Sequence, residues 1–326
     1  MIALYILITI VSILLLICLI ILLFTLYVHN SYFGKRFTPN PNVVYYTKEE
    51  FELSFFPCEI KDGKDKLCGG LYTYDGAVED KIIIFGHGMD SSVKAYIQDI
   101  EYLCRKGFQV FAVDYHGTDT STGKSLKGLS YGIHSIDKAI KYVKDTFGDR
   151  EIILMGHSWG AYSVLSALKY NNDISKVIAI SPFMSLKSLL IGGFPKKIWP
   201  CIPFFYFVEW IKCGKYAFSN TVKGLKKFNG QALILHSKDD PVVKYDVNTL
   251  KLMDKIKNAK YMISLNKGHN PEYSFDAIKE LNNYIKEINC LKTDDEKIAY
   301  MKKTNFHKLG ELDNTVMDKI VEFINS

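Results

Sequence analysis

The first 28 residues form a predominantly apolar run without any Asp, Glu, Lys or Arg. At about 1.5 Å per residue, a helix over Ile2–Val28 is long enough to cross the roughly 30 Å hydrocarbon layer of a bilayer. A cleaved signal peptide, the alternative, would have a charged start, a shorter apolar core and a small-residue cleavage site. We therefore expect residues 1–28 to be a retained, single-pass transmembrane anchor, followed by a linker over residues 29–50.

Beyond residue 50 the apolar positions form short runs, rich in β-branched residues, that are separated by segments of helical length. Strands buried on both faces of a parallel sheet have this pattern. The predicted parallel strands and the clearest helices between them are Lys81–Phe85, Val93–Lys106, Gln109–Val113, Ile133–Thr146, Glu151–Met155, Gly160–Lys169, Lys176–Ile180, Gln231–Leu235 and Lys260–Ser264. Residues 51–75 alternate around a charged turn, which predicts two antiparallel strands at a sheet edge. Residues 51–326 should therefore form one α/β domain with a mostly parallel, eight-stranded sheet and helices on both faces.

The chain does not return directly to the sheet after Pro182. The insertion, at about residues 183–228, is rich in aromatic and aliphatic residues and holds eight lysines but one acidic residue, Glu209. We expect a helical cap over the strand ends that encloses an apolar pocket, although most of these side chains would pack the cap's own core. Its lysines and aromatic residues suit contact with anionic lipid headgroups. Three further helices are expected at Tyr273–Leu291, Asp294–Lys303 and Thr315–Asn325, with residues 291–312 as an insertion.

Composition narrows the function classes. The chain has a net charge of +6, carried by lysines that are spread along it, so no nucleic-acid partner is expected. Lys35 and Arg36 follow the apolar run, which favours a cytoplasmic location for the domain. The seven cysteines show no CxxC spacing, and no metal site is expected. Cys58 and Cys68 flank a turn and could form a disulfide outside the cell, but free, partly buried thiols are the favoured state.

The sequence changes abruptly from a β-type run to a helical pattern at Gly156–Gly160, which reads Gly-His-Ser-Trp-Gly. A serine at the tip of a strand-turn-helix has a strained backbone, and the two glycines leave room for the strand and the helix to approach. Ser158 would then be exposed at a helix N-terminus, where the amide of Trp159 faces any oxyanion that forms beside it. An ordinary N-cap serine, the alternative, needs no flanking glycines.

Further polar residues follow other predicted strands, at the sheet edge where ligands bind in such folds. A serine hydroxyl needs a base to take its proton, and an imidazole backed by a carboxylate does this at neutral pH. Asp240 and His269 follow the fifth and sixth parallel strands, so the order along the chain is nucleophile, acid, base. His236 is the alternative base and Asp239 is the alternative acid.

From about Lys81 onwards these motifs resemble those of the α/β-hydrolase superfamily, in particular its serine aminopeptidase S33 or monoacylglycerol-lipase-like branch. Residues 156–160 are similar to the family's nucleophile turn, and FGHGMD over residues 85–90 is similar to its HG loop. LILHSKDDPVV over residues 233–243 resembles the HGxxDxxV pattern, and KGHN over residues 267–270 resembles the histidine turn. The order Ser, Asp, His is also that of the superfamily.

The resemblance implies an α/β-hydrolase fold and assigns the nucleophile to Ser158, the acid to Asp240 and the base to His269. It assigns the two oxyanion-binding amides to Met89 and Trp159. On the same pattern, His236 is structural and His87 supports the HG loop.

Three positions depart from the family pattern. Ser237 replaces a glycine, and in DYHGTDTS over residues 114–121 His116 replaces an arginine and Asp119 a glycine. We expect the departures at His116 and Asp119 to affect loop support and pocket shape more than the catalytic step.

The sequence thus predicts a membrane-anchored serine hydrolase that cleaves carboxylic esters, with small-molecule or lipid esters of apolar acyl groups as substrates and membrane lipid as the partner of the N-terminal helix. No metal or organic cofactor is implied. A serine aminopeptidase acting on short peptides is the rival enzyme, and it would need an acidic group near the pocket, for which Glu209 is the cap candidate. A non-catalytic binding protein of the same fold is the rival from another class.

Overall fold

The computed structural model describes residues 1–39, 48–78 and 80–326, so part of the predicted linker lies outside the described residues. Its first element is helix α1, Ile2–Phe33. This is the helix among the described residues that is long and apolar enough to cross a membrane, and its most apolar window is not buried in the protein. It continues five residues beyond the predicted end at residue 28, into the segment that we expected to be linker.

The domain is built on one eight-stranded sheet with the order β1-β2-β4-β3-β5-β6-β7-β8. The first two strands are antiparallel and lie at one edge, whereas the other six are mutually parallel, as predicted. The strands are β1 Ser54–Asp62, β2 Asp65–Thr73, β3 Lys81–Gly86, β4 Gln109–Val113, β5 Glu151–His157, β6 Ile174–Ile180, β7 Gln231–Ser237 and β8 Lys260–Ser264.

Helices cover both faces of this sheet and form the cap and the C-terminal region. After α1 they are α2 Ile97–Arg105, α3 Tyr131–Phe147, α4 Trp159–Ala167, α5 Leu186–Gly193, α6 Ile202–Cys213, α7 Thr221–Lys227, α8 Thr249–Lys255, α9 Phe275–Cys290, α10 Asp294–Lys303, α11 Phe306–Leu309 and α12 Asn314–Asn325. Short 3-10 turns precede α2, at Val93–Tyr96, and α6, at Lys196–Cys201. The helices predicted between the strands and in the C-terminal region are all present.

The two faces of the sheet pack two separate apolar layers. Along β3, Ile82 and Ile84 face the layer that contains α3 and α4, whereas Ile83 and Phe85 face the layer that contains α2 and α12. Successive side chains of a strand point to opposite faces, so a strand covered on both faces needs apolar residues at every position. This accounts for the unbroken apolar runs in the sequence.

The thiols of Cys58 and Cys68 are free in the structure and partly buried. In the β1–β2 register, Cys58 lies opposite Gly69 and Cys68 lies opposite Glu59. Residues one position apart in register point to opposite faces of a sheet, so these two cysteines cannot form a disulfide without a register shift.

Candidate active site

The turn that carries Ser158 joins β5 to α4. Ser158 has φ 54° and ψ −113°, a left-handed conformation that is strained for a residue with a Cβ. A Cβ added to Gly160 would lie 1.9 Å from the carbonyl oxygen of Gly86, and one added to Gly156 would lie 2.6 Å from the carbonyl carbon of Gly160. The expectation that both glycines are needed for close packing of the strand and the helix is confirmed.

Asp240 and His269 are brought together at the carboxyl ends of β7 and β8. The Nδ1 of His269 lies 2.7 Å from the Oδ2 of Asp240, which is fully buried. Burial raises the pKa of the Asp240 carboxyl, but hydrogen bonds from His236 and His269 more than offset this and hold its pKa well below the ordinary value. The carboxylate therefore accepts a hydrogen bond from the protonated Nδ1 of His269, and Nε2 takes no part in this bond.

His236 supports the same carboxylate from behind. Its Nε2 lies 3.1 Å from the Oδ2 of Asp240 and 2.9 Å from the carbonyl oxygen of Val243, and its Nδ1 lies 2.6 Å from the hydroxyl of Thr249. The ring is completely buried, and both nitrogens have partners. His236 is therefore positioned to orient Asp240 rather than to serve as a base.

Asp239 points away from this pair and is exposed. One of its oxygens accepts a hydrogen bond from the hydroxyl of Ser237, and the other accepts one from the amide of Gly268 at 3.2 Å. The hydroxyl of Ser237 also accepts the amide N–H of Lys267 at 3.2 Å. The serine that departs from the family pattern thus helps Asp239 to hold the loop that carries His269.

The loop after β3 lies beside the serine turn. A Cβ added to Gly88 would lie 3.7 Å from the Cβ of Ser158, and Met89 lines the same cavity as Ser158 and Trp159. His87 is buried, with Nδ1 2.8 Å from the carbonyl oxygen of Gly88 and Nε2 accepting the amide N–H of Tyr115 at 2.9 Å. Burial lowers the pKa of His87, so the ring is neutral and supports this loop, as predicted.

Trp159 is the first residue of α4, so its amide is one of the N–H groups that have no partner within the helix. Its indole ring is buried, donates a hydrogen bond to the carbonyl oxygen of Leu129 at 2.7 Å and packs edge-on against Tyr115. The side chain thus fixes α4 against the core, and the backbone amide lies in the first turn of the helix, next to Ser158.

Sequence reasoning missed a buried hydrogen-bond chain behind the serine. The amide of Gly88 donates to the hydroxyl of Tyr96 at 3.1 Å, and this hydroxyl lies 2.8 Å from the Nδ1 of His157. The Nε2 of His157 lies 3.0 Å from the carbonyl oxygen of His269, which also accepts the hydroxyl of Ser181 at 2.8 Å. The loop beside Ser158 and the loop that carries His269 are therefore connected through the residue next to Ser158.

His116, the residue at the position of the family's arginine, contacts Asp62 at the end of the edge strand β1. Its Nδ1 lies 3.1 Å from the Oδ2 of Asp62, whose other oxygen lies 2.7 Å from the Nε2 of His134. Asp119, at the position of a family glycine, has φ 37° and forms an ion pair with Lys94 at 3.0 Å. Both departures from the pattern therefore concern loop support, as expected.

A cavity of about 240 Å³ opens beside Ser158 between the cap and the end of α1. Its other lining residues are predominantly apolar and come from α1, from the cap and from the loop after β7: Val28, His29, Tyr32, Phe33, Phe183, Leu186, Leu189, Leu190, Gly193, Phe194, Phe205, Glu209 and Val243. The volume is just below the roughly 300–1,000 Å³ of typical small-molecule pockets, so it suits one narrow apolar group.

A larger cavity of about 430 Å³ lies at the edge of the sheet, between β1, β2 and the start of α2. Asp114 and Thr120 line it, but Ser158, Asp240 and His269 do not. The serine turn is therefore associated with the smaller cavity and not with this one.

Glu209 is completely buried, and both of its oxygens are occupied. Oε1 lies 3.0 Å from the Nε2 of His29 and accepts the amide N–H of Leu129 at 2.8 Å, and Oε2 accepts the amide N–H of Ser130 at 3.0 Å. Burial raises the pKa of the Glu209 carboxyl, but these hydrogen bonds outweigh burial and bring its pKa below the ordinary value. The one acidic side chain of the predicted cap is thus ionised and used within the protein.

Comparison with known proteins agrees with this fold. Residues 77–204 match the sequence profile of the family described as "Serine aminopeptidase, S33". The lysophosphatidylserine lipase ABHD12 of Bos taurus is 26% identical over 207 residues, covering 57% of this chain and 47% of its own length. The bifunctional esterase/perhydrolase DCH of Acinetobacter calcoaceticus is 26% identical over 248 residues, covering 61% of this chain and 87% of its own.

The chain spans only part of several curated relatives, for example 24% of the length of Protein ABHD8 of Homo sapiens. Among solved structures, the Pyrococcus furiosus esterase Pf2001 superposes with a TM-score of 0.56 at 20% identity, covering 78% of this chain and 94% of that chain. The sheet order and this superposition show that the chain has the α/β-hydrolase fold. The profile match and the curated relatives show that part of it is similar in sequence to hydrolases of the serine aminopeptidase S33 family.

Proposed function

We propose that this protein is a membrane-anchored serine hydrolase that cleaves carboxylic esters of apolar acyl groups, with Ser158 as nucleophile, His269 as base and Asp240 as acid. One observation carries the proposal. His269 forms a 2.7 Å hydrogen bond with Asp240, and its carbonyl oxygen is hydrogen-bonded to the ring of His157, the residue next to Ser158. Among the described residues no hydrogen bond joins the Ser158 hydroxyl to the His269 ring. Such bonds are often long before substrate binds, so this does not count against the pair.

The reaction would proceed in two halves. The Oγ of Ser158 attacks the ester carbonyl carbon while its proton passes to the Nε2 of His269, and the amides of Met89 and Trp159 stabilise the resulting oxyanion. The tetrahedral intermediate collapses, the C–O bond to the alcohol breaks, and the alcohol leaves with the proton from His269. Water then loses a proton to His269, attacks the acyl-enzyme and releases the acid, and Ser158 regains its proton.

The pocket favours esters over peptides. An aminopeptidase must hold the substrate's ammonium group, and the cap's acidic candidate, Glu209, already binds His29 and two backbone amides. The remaining lining of the cavity is predominantly apolar, which suits an acyl chain. The names of the lipase and the esterase among the relatives agree with this choice.

Membrane anchoring is supported by α1, whose most apolar window has a mean hydropathy of 3.5 and is not buried in the protein. At about 1.5 Å per residue its 32 residues give a length of about 48 Å, which exceeds the roughly 30 Å hydrocarbon layer. Lys35 and Arg36 follow it directly, which favours a cytoplasmic domain on the cell membrane. Reporter fusions at residue 1 and at residue 326, compared for accessibility on intact cells, would test this orientation.

The catalytic proposal is tested on the full-length protein in detergent or nanodiscs. A fluorophosphonate probe should label the wild type and should not label Ser158→Ala. If the probe did not label Ser158 in folded wild-type protein, the result would favour the alternative, a non-catalytic binding protein.

The ester preference is tested with p-nitrophenyl esters of rising chain length against aminoacyl amides. Faster cleavage of the amides, with the label still on Ser158, would favour the aminopeptidase.

A further inference from the structure

The C-terminal end of α1 is part of the folded domain. Thr25, His29 and Phe33 are buried, and their spacing of four residues places them on one face of the helix. Val28 packs beside them against the main apolar layer. A helix that only tethered the domain would have no reason to bury such a face.

A buried hydrogen bond between a histidine and a carboxylate fixes this face to the cap. His29 lies 3.0 Å from Glu209 on α6, and Glu209 also accepts the amides of Leu129 and Ser130, just before α3. Both side chains of the pair are almost fully shielded from solvent. The anchor, the cap and the body of the domain are thus joined at one carboxylate.

The residues after α1 are fixed as well. Phe37 donates its amide N–H to the carbonyl oxygen of Gly117 at 2.9 Å and accepts the amide N–H of Asp119 at 2.9 Å. The carbonyl oxygen of Lys35 accepts the amide N–H of Leu126 at 3.2 Å. Because the chain is held on both sides of Phe33, the last turns of α1 have a defined position relative to Ser158.

These turns form one side of the cavity that contains Ser158. Val28, His29, Tyr32 and Phe33 all line it, facing residues of α5 and α6. The ring of Tyr32 lies edge-on to the ring of Phe194, with centroids 6.3 Å apart, and so links the helix to the cap at the cavity's border. The cavity is therefore enclosed jointly by the cap and by the apolar helix.

We propose that the end of α1 is an acyl-binding element, so that the helix that enters the bilayer also holds the substrate's acyl chain. This inference rests on the proposed esterase function and names its substrate class: lipid esters with one long acyl chain, taken directly from the bilayer. Val28 lies one helical turn, about 6 Å, nearer to the membrane than Tyr32. An acyl chain that runs from Ser158 along α1 passes Val28 on its way toward the hydrocarbon layer, so Val28 sets the usable chain length.

The test uses full-length protein in nanodiscs and alkyl fluorophosphonates from butyl to hexadecyl. Val28→Trp adds bulk inside the cavity, and Asn30→Trp adds the same indole on the exposed side of the same turn. We expect Val28→Trp to slow labelling of Ser158 by the hexadecyl probe on the order of 10-fold or more, since each methylene excluded from an apolar pocket costs about that factor. In Val28→Trp, butyl labelling should fall much less than hexadecyl labelling, so that the ratio of the two rates changes, and Asn30→Trp should match the wild type for every probe.

A second measurement does not depend on the substitution folding well. A hexadecyl fluorophosphonate with a terminal diazirine is attached to wild-type Ser158, irradiated and mapped by mass spectrometry. Cross-links to residues 21–33 are the expected result. Cross-links confined to the cap, or equal chain-length profiles for the two tryptophan variants, would overturn the acyl-binding role while leaving Ser158 as the nucleophile. Absence of any Ser158 label would instead reject the proposed function.

Discussion

The side chain of His157 is hydrogen-bonded to the backbone carbonyl of His269, with 3.0 Å between Nε2 and the oxygen. A carbonyl only accepts, so Nε2 carries a proton and, in the neutral ring, Nδ1 is the acceptor. Nδ1 then accepts a hydrogen bond from the hydroxyl of Tyr96, whose oxygen accepts the amide N–H of Gly88. Every donor in this chain has a fixed direction, which makes it sensitive to the loss of any member.

Replacing Tyr96 with Phe should lower kcat more than it raises KM. The change leaves the Gly88 amide and the His157 Nδ1 buried without partners, which should lower the free energy of unfolding by about 1–3 kcal/mol. The loop that carries Met89 would shift, and a displacement of about 1 Å at a catalytic group can cost on the order of 100-fold in rate. Steady-state kinetics on a p-nitrophenyl ester measure this effect.

Tyr102→Phe is the matched control for Tyr96→Phe. Tyr102 lies on α2, and its hydroxyl donates to Asp318 at 2.7 Å, away from the serine. We expect this variant to keep the wild-type kcat. An equal fall of kcat in both variants would mean that Tyr96 acts only through general stability.

The pH dependence of stability should report the neutral state of His157. Burial, followed by the nearby charge of His269, lowers the pKa of His157 from 6.5 to about 3. Between these values the unfolded chain binds a proton that the folded protein does not bind, so the free energy of unfolding falls as the pH falls, by up to about 1.4 kcal/mol per pH unit. Glu272, 3.9 Å away, is the neighbouring acid, and burial raises its pKa.

His157→Gln isolates the contribution of His157. Glutamine keeps a donor and an acceptor but does not titrate, so the variant should lose less stability than the wild type between pH 6.5 and pH 4. Thermal or denaturant unfolding at a series of pH values gives the two slopes. Parallel slopes would show that His157 already binds a proton in the folded protein.

The choice between Asp239 and Asp240 can be settled by two isosteric changes. Asp240→Asn keeps an oxygen for the amides of Val242 and Val243, each at 2.8 Å, but removes the carboxylate that fixes the His269 ring. We expect kcat to fall on the order of 10⁴-fold with the fold retained. Asp239→Asn should stay close to the wild type because the hydrogen bonds of Asp239 go to the Gly268 amide and Ser237 and not to the His269 ring. The reverse ranking would assign the acid to Asp239.

Most of the sheet could be predicted because its strands are buried on both faces. Residues such as Ile82 and Ile83 face different apolar layers, so the local sequence alone records their environment. Ser158, Asp240 and His269 could be predicted for a related reason. Each lies in a loop directly after a strand, where the sheet brings distant residues together. The order of motifs along the chain was therefore enough to propose them.

The parts that sequence reasoning missed depend on contacts between distant segments. His29 and Glu209 are 180 positions apart, and the residues around each of them do not indicate that it has a buried partner. The predicted end of the anchor at residue 28 relied on the change from apolar to polar residues. The helix nevertheless continues to Phe33 because its face with Thr25, His29 and Phe33 is buried against the domain. It ends before Gly34, whose amide donates to the carbonyl oxygen of Asn30 at 2.9 Å.

Loss of the Glu209 carboxylate should destabilise the whole protein. Glu209→Ala leaves His29 and the amides of Leu129 and Ser130 buried without a partner. Each buried donor that is left without an acceptor typically costs about 1–3 kcal/mol. Thermal unfolding in detergent should show a clear fall of the midpoint, whereas Lys212→Ala, on the exposed side of the same helix, should not change it. An unchanged midpoint for Glu209→Ala would mean that the end of α1 is not fixed to the cap.

The exposed side of α6 should contact the membrane. Phe207, Trp210 and Ile211 are 45%, 52% and 61% exposed, although they lie on a helix that packs against the end of the apolar α1. Aromatic residues of this kind favour the interface between lipid and water. In nanodiscs that contain acyl-brominated lipid, Trp210 should therefore be quenched, whereas Trp159 is 1% exposed and should not be.

The chain has three tryptophans, so single Trp→Phe changes can assign the quenching. Trp210→Phe should remove most of the quenchable emission. Trp159→Phe should leave the quenched fraction unchanged or higher, because it removes only protected emission. Trp199, 36% exposed in the turn before α6, provides a second position on the same surface. If Trp210→Phe and Trp199→Phe both retained the wild-type quenching, the cap would face away from the bilayer, and an acyl chain could not pass directly from the lipid into a cavity between α1 and the cap.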